Sequence, residues 1–122
     1  GRAEIARAAL EAMAHQTHDL AGAFAADGAP WTQLRIDGGM SANDWMAQDL
    51  ADILNIPVER PDHVETTALG AAMLAALASG YYGSLAEAVS AMRGRTRRFD
   101  PAMDEGVRAE RLARWRGALA GV

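Results

Sequence analysis

The sequence predicts an α/β chain, rich in helices and built around a small sheet. Three observations carry that reading. Long stretches place apolar residues at helical spacing, two short apolar–polar runs are bounded by proline and glycine, and Ser, Asn or Asp stands at the joints between them. With 122 residues, half of them apolar, the chain has the size of one domain and enough apolar surface for a core. It is too short for two domains facing each other across a cleft.

The elements follow in order. Arg2 to about Ala26 lacks proline and spaces Ile5, Ala9, Met13, Leu20 and Phe24 as a helix would, with Asp27-Gly28 as its stop. Leu34-Arg35-Ile36-Asp37 alternates and runs into Gly38-Gly39, which predicts a strand ending in a tight turn. Ser41-Ala42-Asn43-Asp44 matches an S-x-x-D cap, and Met46, Leu50, Ile53 and Leu54 follow at i, i+4, i+7 and i+8, so a helix is expected to start near Ala42. Asn55 tolerates the left-handed conformation that ends a helix, and Pro57 prevents continuation.

Val58 to Arg60, between Pro57 and Pro61, reads as a second strand at a sheet edge, because proline cannot donate to a ladder. Thr66 or Thr67 is the expected cap of a helix that reaches Ala78 and stops at Gly80. The uncharged stretch Thr66 to Ala86 invites a membrane reading. Gly70, Gly80 and Gly83 interrupt it and alanine dominates it, so a buried helix of a soluble domain is expected instead. Ser84-Leu85-Ala86-Glu87 is an S-x-x-E box opening a helix to about Met92. Arg95 to Phe99 reads as extended or irregular, Asp100-Pro101 as a turn, and about Asp104 to Leu119 as a final helix.

Composition narrows the chemistry. Cysteine is absent, which excludes disulfides, thiolate zinc sites and a cysteine nucleophile. Arg2, Glu4 and Arg7 break the opening residues before an apolar signal core could form, so no secretory signal is read there and a cytoplasmic location is expected. The formal net charge is −4, with residues 37 to 65 at −6 and residues 93 to 122 at +4. Arg93, Arg95, Arg97 and Arg98, followed by Arg108, Arg111, Arg114 and Arg116, raise a nucleic-acid reading. The acidic total, the single nearby aromatic Phe99 and the available partners Asp100, Asp104, Glu105 and Glu110 argue for ion pairs and no nucleic acid.

His15, His18 and Asp19 share a helix face, but two or three ligands do not close a metal site, so a solvated surface is expected. His63 reads as a surface residue, and Trp115 with Leu112 and Leu119 as a packing anchor. The turn from Asp37 to Asn43 is the informative place. Side-chain-free Gly38 and Gly39 let a ligand lie against main chain, and a helix start supplies free N–H donors. Asn43 carries an acceptor and donors, enough to read a purine edge. The alternative is ordinary turn chemistry plus a cap. Asp37 is expected to accept hydrogen bonds in the turn or to reach metal-bound water, rather than to act as a catalytic base.

Leu34 to Leu85 resembles the glycerol kinase branch of the FGGY carbohydrate kinases. The residues that carry the resemblance are Ile36-Asp37-Gly38-Gly39-Met40 with Asn43, Ala51-Asp52-Ile53-Leu54, Val58-Glu59-Arg60-Pro61 and Glu65-Thr66-Thr67-Ala68-Leu69-Gly70-Ala71-Ala72. Ahead of them, Glu4 to Glu11 looks like the second half of the family's C-terminal signature. The resemblance covers nearly the whole chain but only about the last quarter of a family member, which implies a fragment, residues 1–122, of the C-terminal nucleotide-binding domain.

That resemblance implies part of an actin-like ATPase (ribonuclease H-like) fold in which Gly39 lies against the nucleotide, Gly38 shapes the turn and Asn43 meets the adenosine end. It implies ATP or ADP with Mg2+ as cofactor, and glycerol, or another polyol or sugar, bound through an N-terminal domain. The catalytic base lies upstream of Gly1, so the fragment is expected to be inactive alone. A non-enzymatic nucleotide- or partner-binding domain is the other reading. Trp45, Ala47, Met73 and Tyr82 depart from the family's usual residues. Val107 stands where a zinc-assisted regulator would need a glutamate, so that partner is not expected. No membrane insertion is expected, and apolar faces uncovered by excision would favour self-association.

Overall fold

A proline-free run of 25 residues, Arg2–Ala26, forms one continuous helix, α1, in a computed structural model that describes residues 1–63 and 65–122. Asp27 caps it, and Gly28 takes the left-handed conformation (φ 83°) that the expected stop requires. The periodicity was right and the buried face was not. Ile5, Met13, Leu20 and Phe24 are exposed, whereas Ala14 and His15 are buried. A small residue at the crossing lets α1 come close to the next helix, and Ala14 meets that need.

After α1 come β1 (Leu34–Arg35), a 3-10 turn (Gly39–Ala42) and helix α2 (Asp44–Leu54). The β1 ladder is shorter than expected, although Ile36 N still donates to Glu59 O at 2.9 Å. The cap of α2 is Asn43 rather than Ser41. Residues 39–42 wind more tightly than an α-helix, Asn43 is extended (φ −77°, ψ 109°), and its Oδ1 accepts from Met46 N at 3.1 Å. Asn55 ends α2 in the left-handed region (φ 54°), as its type suggested.

Then follow β2 (Val58–Pro61), α3 (Thr66–Ala78), α4 (Leu85–Met92), β3 (Thr96–Phe99) and α5 (Glu105–Ala120). The sheet order is β1-β2-β3, with β1 parallel and β3 antiparallel to β2. The strand 58–60 is therefore central, not an edge. Pro57 lies outside the ladder, where its carbonyl accepts from Leu34 N at 3.0 Å, and Pro61 is the last residue of its strand, paired with Thr96. Neither proline leaves a gap inside the ladder.

Helix α2 fills the space between α1 and the sheet. Met46, Ala47, Leu50, Ala51 and Ile53 join Ala14, Val58 and Phe99 in one core, with Leu34, Ile36, Met103 and Leu112 around it. Burial of a side chain the size of Leu50 or Ile53 contributes about 1.5–3 kcal/mol. The basic C-terminal part folds back onto the acidic helix. Arg111 of α5 grips Asp49 through two bonds of 2.5 and 3.0 Å, both residues buried. Asp52 accepts from Ala102 N at 2.7 Å and Met103 N at 3.2 Å.

Two further expectations are corrected. Neither Thr66 nor Thr67 caps α3: Glu65 occupies that position without a side-chain cap, and Thr66 Oγ1 donates to Asp37 instead. Nor is α3 buried. Met73 is its one buried residue and Leu74 is 58% exposed, because α4 is the chief element packed on it. Ser84 does cap α4, accepting from Glu87 N at 3.1 Å while Glu87 Oε2 accepts from Gly83 N at 2.9 Å. Asp104 caps α5 through Gly106 N and Val107 N.

Candidate functional site

The end of β1 delivers the diglycine. Gly38 has φ 85°, a conformation that a side chain strains, and its carbonyl accepts from both Ser41 N at 3.0 Å and Ser41 Oγ at 2.6 Å. Gly39 opens the 3-10 turn and is exposed, and a Cβ built on Gly38 or Gly39 would meet nothing within 4 Å. Bare main chain therefore faces open space. Met40 beside it is 56% exposed, and Asn43 stands exposed one turn further on. The structure thus brings Gly38, Gly39 and Asn43 onto one elbow.

Asn43 has less freedom than its side-chain chemistry implied. Its Oδ1 is engaged as the cap of α2, while its amide hydrogens have no protein partner among the described residues. What it presents outward is chiefly a donor. Asp37, just before the elbow, accepts from Thr66 at the start of α3 and lines a recess of about 300 Å³ with Arg35, Glu59, Leu69 and Arg93. The hydrogen-bonding role expected of Asp37 is met across to another helix rather than within its own turn.

Asp44 and Asp49 have no base near them in sequence, yet the fold supplies bases to both in space. Asp44 lies 2.8 Å from Arg60 Nη1 and 2.6 Å from Arg97 Nη1. These two guanidiniums hold the Asp44 carboxyl below its ordinary value of 3.8. Arg98 pairs with Asp100 at 2.8 Å, and Arg108 with Glu105. Among the described residues, four of the eight arginines from Arg93 to Arg116 form ion pairs; the neighbouring acids Asp100 and Glu105 serve Arg98 and Arg108, whereas Arg97 and Arg111 reach back to Asp44 and Asp49 of α2.

The His15 cluster departs from its expected solvated surface. His15 is 5% exposed, stacks on Trp115 at 5.2 Å between ring centroids and sets Nδ1 2.7 Å from Glu11 O. Trp115, whose Nε1 donates to Asp19 at 2.7 Å, anchors α5 on α1. Arg60 and the Asp49–Arg111 pair are the residues that reading the sequence missed. Their partners lie 19 and 62 positions away, with no local pattern to announce them.

Residues 1–79, which include the elbow, match the C-terminal domain of the FGGY family of carbohydrate kinases. The chain belongs to this family. Glycerol kinases from Rhodospirillum centenum and Aromatoleum aromaticum are 56% identical over 119 residues and 52% over 120, each alignment covering 98% of this chain and 24% of the relative. The chain thus spans about a quarter of the length of these FGGY relatives.

Among solved structures, the glycerol kinase of Plasmodium falciparum with ADP superposes with a TM-score of 0.77 at 33% identity, covering 98% of this chain and 24% of that one. A gluconate kinase from Lactobacillus acidophilus gives 0.67 at 23% identity, covering 98% and 25%, a likeness of fold alone. The helix-rich α/β arrangement with its small sheet is part of the actin-like ATPase fold of these kinases.

Proposed function

We propose that residues 1–122 form the C-terminal portion of the nucleotide-binding domain of a cytoplasmic, ATP-dependent glycerol kinase, and that they supply the adenosine side of its ATP site. The observation that carries this reading is the open main chain at Gly39 beside the outward amide of Asn43, on an elbow that glycine geometry holds at Gly38. Relatives named glycerol kinase at about half identity over nearly the whole chain, one solved relative carrying ADP, support it. The residues present fit a purine nucleoside: backbone to lie against, a donor to meet a ring nitrogen, and no side chain in the way.

Phosphoryl transfer needs a positioned hydroxyl, a base or orienting group, and neutralisation of the γ-phosphate, to which Mg2+ would contribute positive charge when bound. In this reading those parts come from the portion of the kinase that precedes Gly1, including the glycerol site. Asp44 and Asp49 are spent on arginines, so the chain's own work is to bind and orient the nucleoside.

In the longer kinase carrying this chain, Gly39→Val should raise the KM for ATP by roughly tenfold or more while leaving the KM for glycerol unchanged, since uniform nucleotide binding is what it removes. The 122-residue chain alone should show no transfer from ATP to glycerol. An unaltered ATP KM in the valine variant, or turnover by the chain alone, would overturn the proposal.

A further inference from the structure

Arg60 belongs to the central strand, yet its head reaches the elbow. The side chain is 13% exposed, and the same Nη1 donates to Ser41 O at 2.9 Å and lies 2.8 Å from Asp44 Oδ1. Ser41 and Asp44 bracket Asn43 in the chain, one on the 3-10 turn and one at the first residue of α2. Among the described residues this is the one side-chain hydrogen bond that ties the sheet to the turn. The guanidinium also lies over the buried Phe99 ring, 5.2 Å from its centroid, so its base of support is the core itself.

We propose that Arg60 is the positioning residue of the nucleotide elbow, its Nη1 holding the Ser41 carbonyl and the Asp44 carboxylate so that Gly39 and Asn43 face the ligand together. The inference rests on the nucleotide reading of that elbow. Its physical basis is the looseness of what it restrains. Two successive glycines and a single 3-10 turn carry few bonds of their own, and the hydroxyl of Ser41 turns inward to Gly38 rather than outward to the sheet. Without an external tie, the peptide of Gly39 could rotate without breaking the core. Asp44 is held from its other side by Arg97, 2.6 Å away and also over Phe99, which keeps the carboxylate aimed at Arg60. Arg60 touches no substrate in this account; it acts through main-chain placement.

The test uses the longer kinase with ATP and glycerol as the two varied substrates. Arg60→Met keeps the stem over Phe99 and removes the donors; it should raise the KM for ATP about tenfold and leave the KM for glycerol within about twofold. Arg60→Lys should recover most of the ATP affinity, because one ammonium can donate to both oxygens. A merely structural arginine would lower the melting temperature without separating the two KM values, and that result overturns the proposal. So does a lysine variant no better than methionine. Should Arg60→Met fail to fold, Arg60→Gln carries the test, and an unchanged ATP KM in it is equally adverse. If Gly39→Val raises the ATP KM and the Arg60 variants do not, this inference alone fails; if Gly39→Val is silent as well, the nucleotide reading has failed beneath it.

Discussion

Helices α2 and α3 follow one another in the chain with β2 between them and behave as opposites. Helix α2 carries Asp44, Asp49 and Asp52 yet has six buried residues, while α3 contains no charged residue and buries only Met73. Apolarity alone does not bury a helix. Helix α2 is amphipathic, with a stripe that fits between α1 and the sheet, and its buried acid finds Arg111. Helix α3 is apolar all round, a pattern suited to a helix covered on several sides, and in this chain α4 is its chief neighbour.

The sharpest way to break the contrast is to remove the ion pair that lets α2 carry a buried carboxylate. Arg111→Ala strands Asp49 without its partner and should destabilise the chain by about 3–5 kcal/mol, measured by urea unfolding. A loss below 1 kcal/mol would mean that water reaches Asp49 and that the pair is not structural. Next, paired truncations compare the helices directly. Ile53→Ala, in the core, should cost about 2–5 kcal/mol, whereas Leu74→Ala, on the exposed face of α3, should stay within about 0.5 kcal/mol. Equal losses would show that α3 is covered in solution, and sedimentation would then reveal a self-associated species.

The smallest effect distinguishes the two acids at either end of the contrast within α2. Asp44 is exposed and its folded pKa is depressed by Arg60 and Arg97, so its contribution is present above the ordinary value of 3.8 and is lost as pH falls through the lower folded value. Asp44→Asn should therefore differ from the parent at neutral pH, and the two stability curves should converge on acidification below 3.8. A gap that persisted in acid would place the role of Asp44 outside its charge.

These differences also explain what reading the chain in order could reach. Some stops and caps made by one or two neighbours were legible: Gly28, Asn55 and Ser84 do locally what their types allow, whereas Thr66 is drawn away from its cap by Asp37. The diglycine elbow was legible for the same reason, since a turn needs only its own residues. Position within the sheet was not, because β2 becomes central only when β3 arrives almost forty residues later. The choice between Ser41 and Asn43 as cap depended on a 3-10 turn whose tightness no capping pattern encodes. The buried face of α1 was misread because helical spacing reports that a stripe exists, and the partner decides which stripe is used. Arg60 was invisible as a support, since its meaning lies in the geometry between strand and elbow.

One consequence follows from the way α2 begins. Because the side chain of Asn43 is already moored by Met46 N, any molecule arriving there finds its amide oriented in advance and loses little rotational freedom in meeting it. In the proposed nucleotide site, the scaffold that starts the helix would double as preparation for an encounter, and fidelity at that spot would be inherited from folding rather than acquired on contact.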